Sequence, residues 1–253
     1  MKKLKGTYGE CRFCDNMDPD EGLPSLAEKS WDLCLTDPPY NIKYKKPSGL
    51  GAKPNAKNKY INPYEDNKSQ EAYLMWCEKW FHSLMECTQG ILFSPGRMNL
   101  SIWYHIQPPE DYIIWYKKNA QGGAKWSHFA KEEPFLIYGQ LPKKFTGSVL
   151  EVYVINGFLC EEIYIHPVPK SINLWETILT YLQPTSVIDP FLGSGTTAEV
   201  CESLGIPWLG YEIMEEYAVD IDKRITQGQT KYAEIHFKPP TTQKTMDCFG
   251  RGT

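Results

Sequence analysis

The sequence lacks long apolar runs, because no segment approaches the ~18 consecutive apolar residues that a membrane-spanning helix requires. The basic segment Met1–Lys5 is not followed by the apolar core of a signal peptide. The eight cysteines are scattered, and Cys34, Cys160 and Cys201 stand in apolar or helical contexts, which favours reduced core residues over disulfides. These absences predict a cytoplasmic protein that makes no contact with a membrane.

The sequence also lacks the paired ligands of a metal site. Cys11 and Cys14 have a spacing found in zinc and redox sites, but no second ligand pair follows at a matching distance. The five histidines form no cluster. We therefore expect no metal ion.

Two common phosphate-binding patterns are missing as well, namely the GxGxxG spacing and the lysine of a P-loop. What is present is the run VIDPFLGSGTT at 187–197, which predicts a strand, a glycine-rich turn and a helix start. Gly193 and Gly195 permit positive φ and a close approach to the backbone, and the helix start favours an anionic group. About 20 residues beyond the turn, Glu212 follows a strand at 208–211 and is placed to hydrogen-bond ribose hydroxyls.

A second motif, Asp37-Pro38-Pro39-Tyr40, follows a short apolar run at 31–36 that reads as a buried strand. The prolines end the strand stiffly, because each fixes its own φ and lacks an N–H donor. Asp37 and the Pro38 carbonyl can then accept hydrogen bonds from a flat amino-bearing ring that stacks on Tyr40.

Together, the two motifs resemble those of the S-adenosylmethionine-dependent amino-methyltransferases, which methylate exocyclic amino groups of bases in DNA. The tetrapeptide precedes the glycine-rich turn by about 150 residues, as in the permuted beta class of that family. The resemblance and the alternation of helices and strands both predict an α/β, Rossmann-like fold. In that fold a mostly parallel central sheet carries helices on both faces.

The resemblance extends to two further segments. Tyr8-Gly9-Glu10-Cys11 resembles a Gly-Asp turn that contacts the cofactor adenine, although Glu replaces the usual Asp. The segment 166–170 resembles an HPxxKP segment that closes over the methionine end. The resemblance implies catalytic roles for Asp37, Pro38, Pro39 and Tyr40. It implies S-adenosylmethionine binding by Glu10, Cys11, Asp37, His166, Lys170, Asp189, Phe191, Gly193, Ser194, Gly195, Thr196, Thr197 and Glu212.

Acidic residues outnumber basic ones, so that the formal net charge is −4, but the positive charge is concentrated locally. The stretch between Asn41 and Tyr60 contains six lysines and no acidic residue, together with glycines and prolines typical of a mobile loop. Beside the tetrapeptide, such a loop can bind the phosphates of double-stranded DNA. The predicted DNA-binding residues are Lys43, Lys45, Lys46, Lys53, Lys57, Lys59, Lys117 and Lys125.

The chain length predicts a single methyltransferase domain over residues 1–236. We expect a mobile basic loop at 41–60, a compact target-recognition insertion around 119–165 and a loose C-terminal tail at 237–253. A cognate restriction endonuclease is a further expected partner, and the protein is expected to be a monomer or a homodimer.

The resemblance favours methylation of adenine N6 in a flipped-out base, because Asp is the first residue of the tetrapeptide. Methylation of cytosine N4 stays open. Two alternatives of other classes also stay open: a methyltransferase acting on RNA or a protein amide, and a nucleic-acid-binding module that has lost its cofactor.

Overall fold

The computed structural model describes residues 1–42, 67–118, 131–152 and 170–227. Within them, nine strands join one sheet in the order β1-β2-β9-β8-β3-β4-β6-β5-β7. Only β1 and β6 run against the other seven strands. The strands are β1 Lys2–Lys5, β2 Gly9–Phe13, β3 Trp31–Thr36, β4 Thr88–Phe93, β5 Asp111–Lys117, β6 Glu132–Gly139, β7 Val149–Val152, β8 Val187–Asp189 and β9 Trp208–Tyr211.

Five α-helices are present in the described residues. They are α1 Gln70–Cys87, α2 Leu100–Ile106, α3 Ile172–Leu182, α4 Thr196–Leu204 and α5 Ala218–Gln227. In the longest, α1, the Ser69 side chain accepts a hydrogen bond from the Ala72 N–H and thereby caps the helix start. Its buried residues Tyr73, Cys77, Trp80, Phe81 and Leu84 recur at helical spacing, as expected of a helix with one face on a sheet.

The core lies in two layers, one on each face of the sheet. Leu33 and Leu35 of β3 pack in one cluster with residues of α3, α4 and α5. Between them, Cys34 points the other way and packs in a second cluster with residues of α1 and α2. This alternation is the period of two that a strand imposes on a sheet buried on both faces. The predicted α/β fold with helices on both faces is confirmed.

The chain reverses its winding direction between β3 and β8. The two strands are parallel neighbours, but β3 continues to β4 on one side whereas β8 continues to β9 on the other. In open α/β sheets, ligands bind in the crevice outside the carboxyl ends of strands at such a point. Both sequence motifs lie there, since the tetrapeptide follows β3 and the glycine-rich turn follows β8.

One local expectation is wrong. The predicted turn at Gly9–Cys11 is part of β2, which continues to Phe13 and pairs in parallel with β9. The alternating burial of β2 explains the pairing, because Cys11 and Phe13 reach the core while Glu10 and Arg12 face outward.

Six cysteines of the described chain are free, and five of these are buried. No helix within the described ranges combines the length and apolar character needed to cross a membrane.

Candidate active site

Asp37 begins the tetrapeptide directly after β3, and its side chain is 24% exposed. Oδ1 accepts a short hydrogen bond from the Tyr40 hydroxyl and lies 3.0 Å from Lys170 Nζ. Oδ2 has no hydrogen-bond partner among the described residues. Burial raises the pKa of Asp37 above its ordinary value, although the positive charge of Lys170 opposes this. One acceptor oxygen is thus left for a ligand.

The rest of the tetrapeptide is fixed by contacts from neighbouring elements. The Pro39 carbonyl accepts a hydrogen bond from the Tyr73 hydroxyl at 2.7 Å, and the Tyr40 carbonyl accepts one from Asn99 Nδ2 at 2.8 Å. Gly96, with φ of 72°, lies against the Tyr40 ring, and a Cβ added there would come within 2.9 Å of ring atoms. The Tyr40 ring is therefore held between the strand ends.

The Tyr40 hydroxyl reaches a cluster of charged side chains. Lys170 Nζ lies 3.0 Å from that hydroxyl and 2.6 Å from Glu133 Oε1, while Lys117 Nζ lies 2.5 Å from Glu133 Oε2. Burial alone raises the pKa of Glu133, but the charges of Lys170 and Lys117 outweigh it and hold that pKa well below its usual range. Burial lowers the pKa of Lys170, yet Asp37 and Glu133 together raise it well above normal. At neutral pH the cluster contains ion pairs.

Asp189 closes the opposite side of the crevice at the end of β8. Its carboxylate accepts hydrogen bonds from Thr36 Oγ1 at 2.6 Å, from Thr197 Oγ1 at 2.5 Å and from the Phe191 N–H at 3.0 Å. Thr197 in turn accepts one from Trp175 Nε1 at 2.7 Å. Burial raises the pKa of Asp189 to about 6, and these donors oppose the rise. Asp189 therefore ties β3, β8 and the start of α4 together.

Glu212 follows β9 and closes over the glycine-rich turn. It accepts hydrogen bonds from the Gly193 N–H at 2.9 Å and from the Met214 N–H at 2.8 Å. Burial raises its pKa to about 7. Beside it, the apolar Ile213 is 51% exposed, so an apolar surface adjoins the carboxylate.

The start of α4 brings backbone groups into the same crevice. Gly195 caps the helix with φ of 87°, and Ser194, Thr196 and Thr197 are buried. Phe191 turns away from the turn and packs on α1, its ring centroid 5.0 Å from that of Trp80. The turn therefore offers backbone N–H groups and glycine Cα atoms where a ligand can approach closely.

Two residues predicted to bind the cofactor, Glu10 and Cys11, lie in β2 and make no contact with the glycine-rich turn among the hydrogen bonds of the described residues. Glu10 lies within β2, its carboxylate accepting from Arg12 Nε at 2.8 Å, and Cys11 is fully buried in the core. Past the end of β2, Asn16 Nδ2 donates to the Pro190 carbonyl at 3.1 Å, so Asn16 reaches the turn instead. The cofactor contacts of Glu10 and Cys11 stay predictions.

Two lysines also have unexpected positions. The Lys170 side chain reaches the tetrapeptide rather than the glycine-rich turn, which only its backbone carbonyl approaches, 3.5 Å from Thr196 Oγ1. Lys117, expected to bind DNA, is paired with Glu133. His166, Lys43, Lys45, Lys46, Lys53, Lys57, Lys59 and Lys125 lie outside the described residues, as do the tail at 237–253 and much of the insertion at 119–165.

Sequence reasoning missed Ser94, Asn99, Tyr73 and Asn16 because their contacts join distant parts of the chain. Glu133 carried a usable signal, since it is a charged residue directly before the apolar run of β6, and such residues are rarely buried unless paired. Groups of acidic, histidine and cysteine side chains able to hold a metal ion are absent from the described portion of the chain.

The profile of the N6_N4_Mtase family, described as DNA methylase, matches residues 31–223. This range contains the tetrapeptide, the charged cluster, the glycine-rich turn and Glu212. The chain belongs to this family of DNA methylases. It is thus an S-adenosylmethionine-dependent DNA amino-methyltransferase.

Curated relatives of this DNA methylase are type II methyltransferases. M.HpaI of Haemophilus parainfluenzae is 25% identical over 78% of this chain and 68% of its own length. M.BglII of Bacillus subtilis is 29% identical over 85% of this chain and 68% of its own length.

Solved structures share the fold. The M1.HpyAVI–SAM complex has a TM-score of 0.57 at 21% identity and covers 85% of this chain and 99% of its own. The PvuII DNA methyltransferase, described as cytosine-N4-specific, has a TM-score of 0.60 at 16% identity and covers 87% and 86%.

Proposed function

We propose that this DNA methylase transfers the methyl group of S-adenosylmethionine to the exocyclic N6 amino group of an adenine flipped out of double-stranded DNA. The observation that carries the proposal is the position of Asp37. Its carboxylate lies at the switch point of the sheet. Oδ1 contacts Tyr40 and Lys170, Oδ2 has no partner among the described residues, and the glycine-rich turn follows the neighbouring strand β8.

The residues around the turn fit S-adenosylmethionine. Glu212 is a buried acid whose carboxylate can accept hydrogen bonds from ribose hydroxyls, and the exposed Ile213 beside it offers apolar contact to an adenine ring. The N–H groups at the start of α4 suit the carboxylate of the methionine part. When bound, this cofactor supplies a methyl group on a positively charged sulfur.

On the substrate side, Asp37 Oδ2 and the Pro38 carbonyl accept the two N–H groups of the target amine, and the Tyr40 ring stacks on the base. These hydrogen bonds favour a pyramidal nitrogen with a more available lone pair. The N–C bond forms as the S–C bond breaks, the positive charge passes from sulfur to nitrogen, and an N–H proton is released. Holding the nitrogen in line with the methyl group supplies much of the acceleration.

The choice of adenine rests on the identity of Asp37 as first residue of the tetrapeptide. The structural relatives include a cytosine-N4-specific enzyme, so cytosine is the second candidate. The DNA contacts of Lys43 to Lys59, Lys117 and Lys125, the target-recognition role of 119–165, a restriction endonuclease partner and a cytoplasmic location belong to this proposal.

Methylation of unmodified duplex DNA with labelled cofactor, followed by nucleoside analysis, tests the proposal. We expect N6-methyladenine from the wild-type protein. The Asp37→Ala variant should lose transfer by roughly 100-fold or more, because the amine loses its acceptor, while cofactor binding measured by calorimetry is retained. Label found only in methylcytosine would contradict the choice of adenine, and a fully active Asp37→Ala protein would contradict the catalytic role.

A further inference from the structure

Glu133 is a buried carboxylate two strands away from the tetrapeptide, since β6 pairs with β4 and β4 pairs with β3. Its side chain is only 10% exposed. Oε1 lies 2.6 Å from Lys170 Nζ and accepts a hydrogen bond from Ser94 Oγ at 2.8 Å, whereas Oε2 lies 2.5 Å from Lys117 Nζ. Nothing in the proposed transfer has so far required this residue.

A carboxylate is costly to keep at a buried position of β6. Removing two charges from water costs several kcal/mol per ion, and apolar side chains of similar volume often replace buried ion pairs without loss of stability. The pairing of Glu133 with two lysines therefore indicates a role other than holding β6 in the sheet. Buried, strongly perturbed charges of this kind are concentrated at functional sites.

The position of Lys170 indicates what that role is. Its ammonium group lies 2.6 Å from Glu133 Oε1, 3.0 Å from Asp37 Oδ1 and 3.0 Å from the Tyr40 hydroxyl. Lys170 thus connects Glu133 to the first and last residues of the tetrapeptide.

We propose that Glu133 and Lys170 are positioning residues for methyl transfer, with Glu133 holding the Lys170 ammonium against Asp37 Oδ1 so that Oδ2 faces the target amine. The inference rests on the proposed catalytic role of Asp37. An ionised carboxylate accepts amine hydrogens more strongly than a protonated carboxyl group does, and burial works against ionisation. Lys170 supplies the opposing positive charge, and its bond to Oδ1 fixes the rotation of the carboxylate.

Among the described residues, the charged or titratable groups that face Asp37 are Lys170, Glu133, Tyr40 and Asp189, and Lys117 lies behind Glu133. Replacing Lys170 and replacing Glu133 should shift the pKa of Asp37 in opposite directions. Removing Lys170 removes the charge that favours the carboxylate, so transfer should require a higher pH. Removing the charge of Glu133 removes a repulsion, so the acidic limb of the rate profile should move to lower pH.

Single-turnover transfer to unmodified DNA, measured against pH at saturating cofactor, tests this in Lys170→Met and Glu133→Gln. We expect both variants to lose roughly 10- to 100-fold in rate at neutral pH, with acidic limbs shifted in opposite directions. Cofactor affinity from calorimetry should stay within about twofold, that is within about 0.4 kcal/mol. The control is Glu86→Gln, which removes an exposed carboxylate near the end of α1, at the edge of the sheet opposite the crevice, and should leave rate and profile unchanged.

Unshifted acidic limbs in both variants would overturn the inference, because a merely structural cluster changes stability and not the ionisation that limits transfer. A Lys170→Met protein that loses cofactor affinity but keeps its rate once saturated would also overturn it and assign Lys170 to the cofactor. A wild-type protein that methylates no DNA would instead overturn the proposed function. If Glu133→Gln fails to fold, the double variant Glu133→Gln/Lys117→Met restores the charge balance and takes its place. The acidic limb of this double variant should also move to lower pH. An unshifted limb in the double variant would refute the inference.

Discussion

Asp189 and Glu212 are both buried acids with raised pKa values, but they differ in what a ligand can reach. Asp189 accepts hydrogen bonds from three donors of the protein, namely Thr36 Oγ1, Thr197 Oγ1 and the Phe191 N–H. Its role is therefore to hold the glycine-rich turn in place. Glu212 accepts hydrogen bonds from the backbone N–H groups of Gly193 and Met214 and lies beside the exposed Ile213. Cofactor binding should therefore change the pKa of Glu212 and leave the pKa of Asp189 nearly unchanged.

Glu212 predicts a pH-dependent cofactor affinity. Because its pKa is raised to about 7, the group binds a proton in the free protein near neutral pH, whereas ribose hydroxyls donate best to the ionised form. Cofactor affinity should rise from pH 6 to pH 8, with proton release detectable by calorimetry in buffers of different ionisation enthalpy.

The same shift acts on stability with the opposite sign. A raised folded-state pKa contributes stability that is present below the unfolded value of 4.5 and is lost as pH rises through about 7. In Glu212→Gln, both pH dependences should flatten. A Glu212→Gln protein that keeps the full slope of cofactor affinity between pH 6 and pH 8 would place the titrating group elsewhere.

Single residues were predictable from sequence where their role is local. Asp37 and Glu212 directly follow strands, Gly193 and Gly195 lie in the turn after β8, and strand ends are visible in an apolar run followed by turn formers. For Glu133 the sequence indicated a charged residue beside an apolar run but not its partners, because the two lysines come from separate elements that only the folded sheet brings together.

The turn from β8 into α4 depends on a backbone conformation that only glycine adopts readily. Gly195 has φ of 87°, and an added Cβ would lie 3.2 Å from the Cα of Ile221 in α5. Behind it, the fully buried Arg224 of α5 forms an ion pair with Glu199 of α4. The two helices are thus packed tightly against the turn, so the turn has little room to move.

Gly195→Ala should accordingly impair both stability and cofactor binding. A non-glycine residue at this φ costs about 1–2 kcal/mol, which corresponds to a fall of roughly 2–8 °C in Tm for a domain of this size. Thermal unfolding with and without S-adenosylmethionine measures both effects. The control is Gly147→Ala, where an added Cβ meets no atom within 4 Å. Equal Tm values for the two variants would argue against strain at Gly195.

Elements were predictable where burial is periodic along the chain. In the sequence, apolar residues recur near helical spacing between Ser69 and Cys87, which predicts a helix there, and the segment from Ser171 to Leu182 predicts another. The structure has them at Gln70–Cys87 and Ile172–Leu182. The segment Gly9–Cys11 was misjudged because its glycine and its polar residues resemble a turn, while its parallel pairing with β9 depends on a strand about 200 residues away. Local patterns do not contain that partner.

The whole molecule is acidic, with a net charge of −4 and a pI of about 5.8, although its family acts on a polyanion. Attraction to DNA therefore has to come from local charge rather than from the overall field. Among the predicted contacts, Lys117 is engaged with Glu133. This shifts the expected phosphate contacts toward the lysines that follow the tetrapeptide in sequence, beginning at Lys43.

Replacing Lys43, Lys45 and Lys46 by Gln should weaken DNA binding and reduce its dependence on salt. Each phosphate contact contributes about 0.9 to the slope of log K against log salt concentration, so losing three contacts should lower the slope by almost 3. The control replaces the exposed Lys2, Lys5 and Lys79 by Gln, which changes the net charge equally. DNA binding titrated at several salt concentrations separates the two, because a loss caused by net charge alone would appear in both triple variants. Cofactor affinity should stay unchanged in each, since the crevice between β3 and β8 is formed without these lysines.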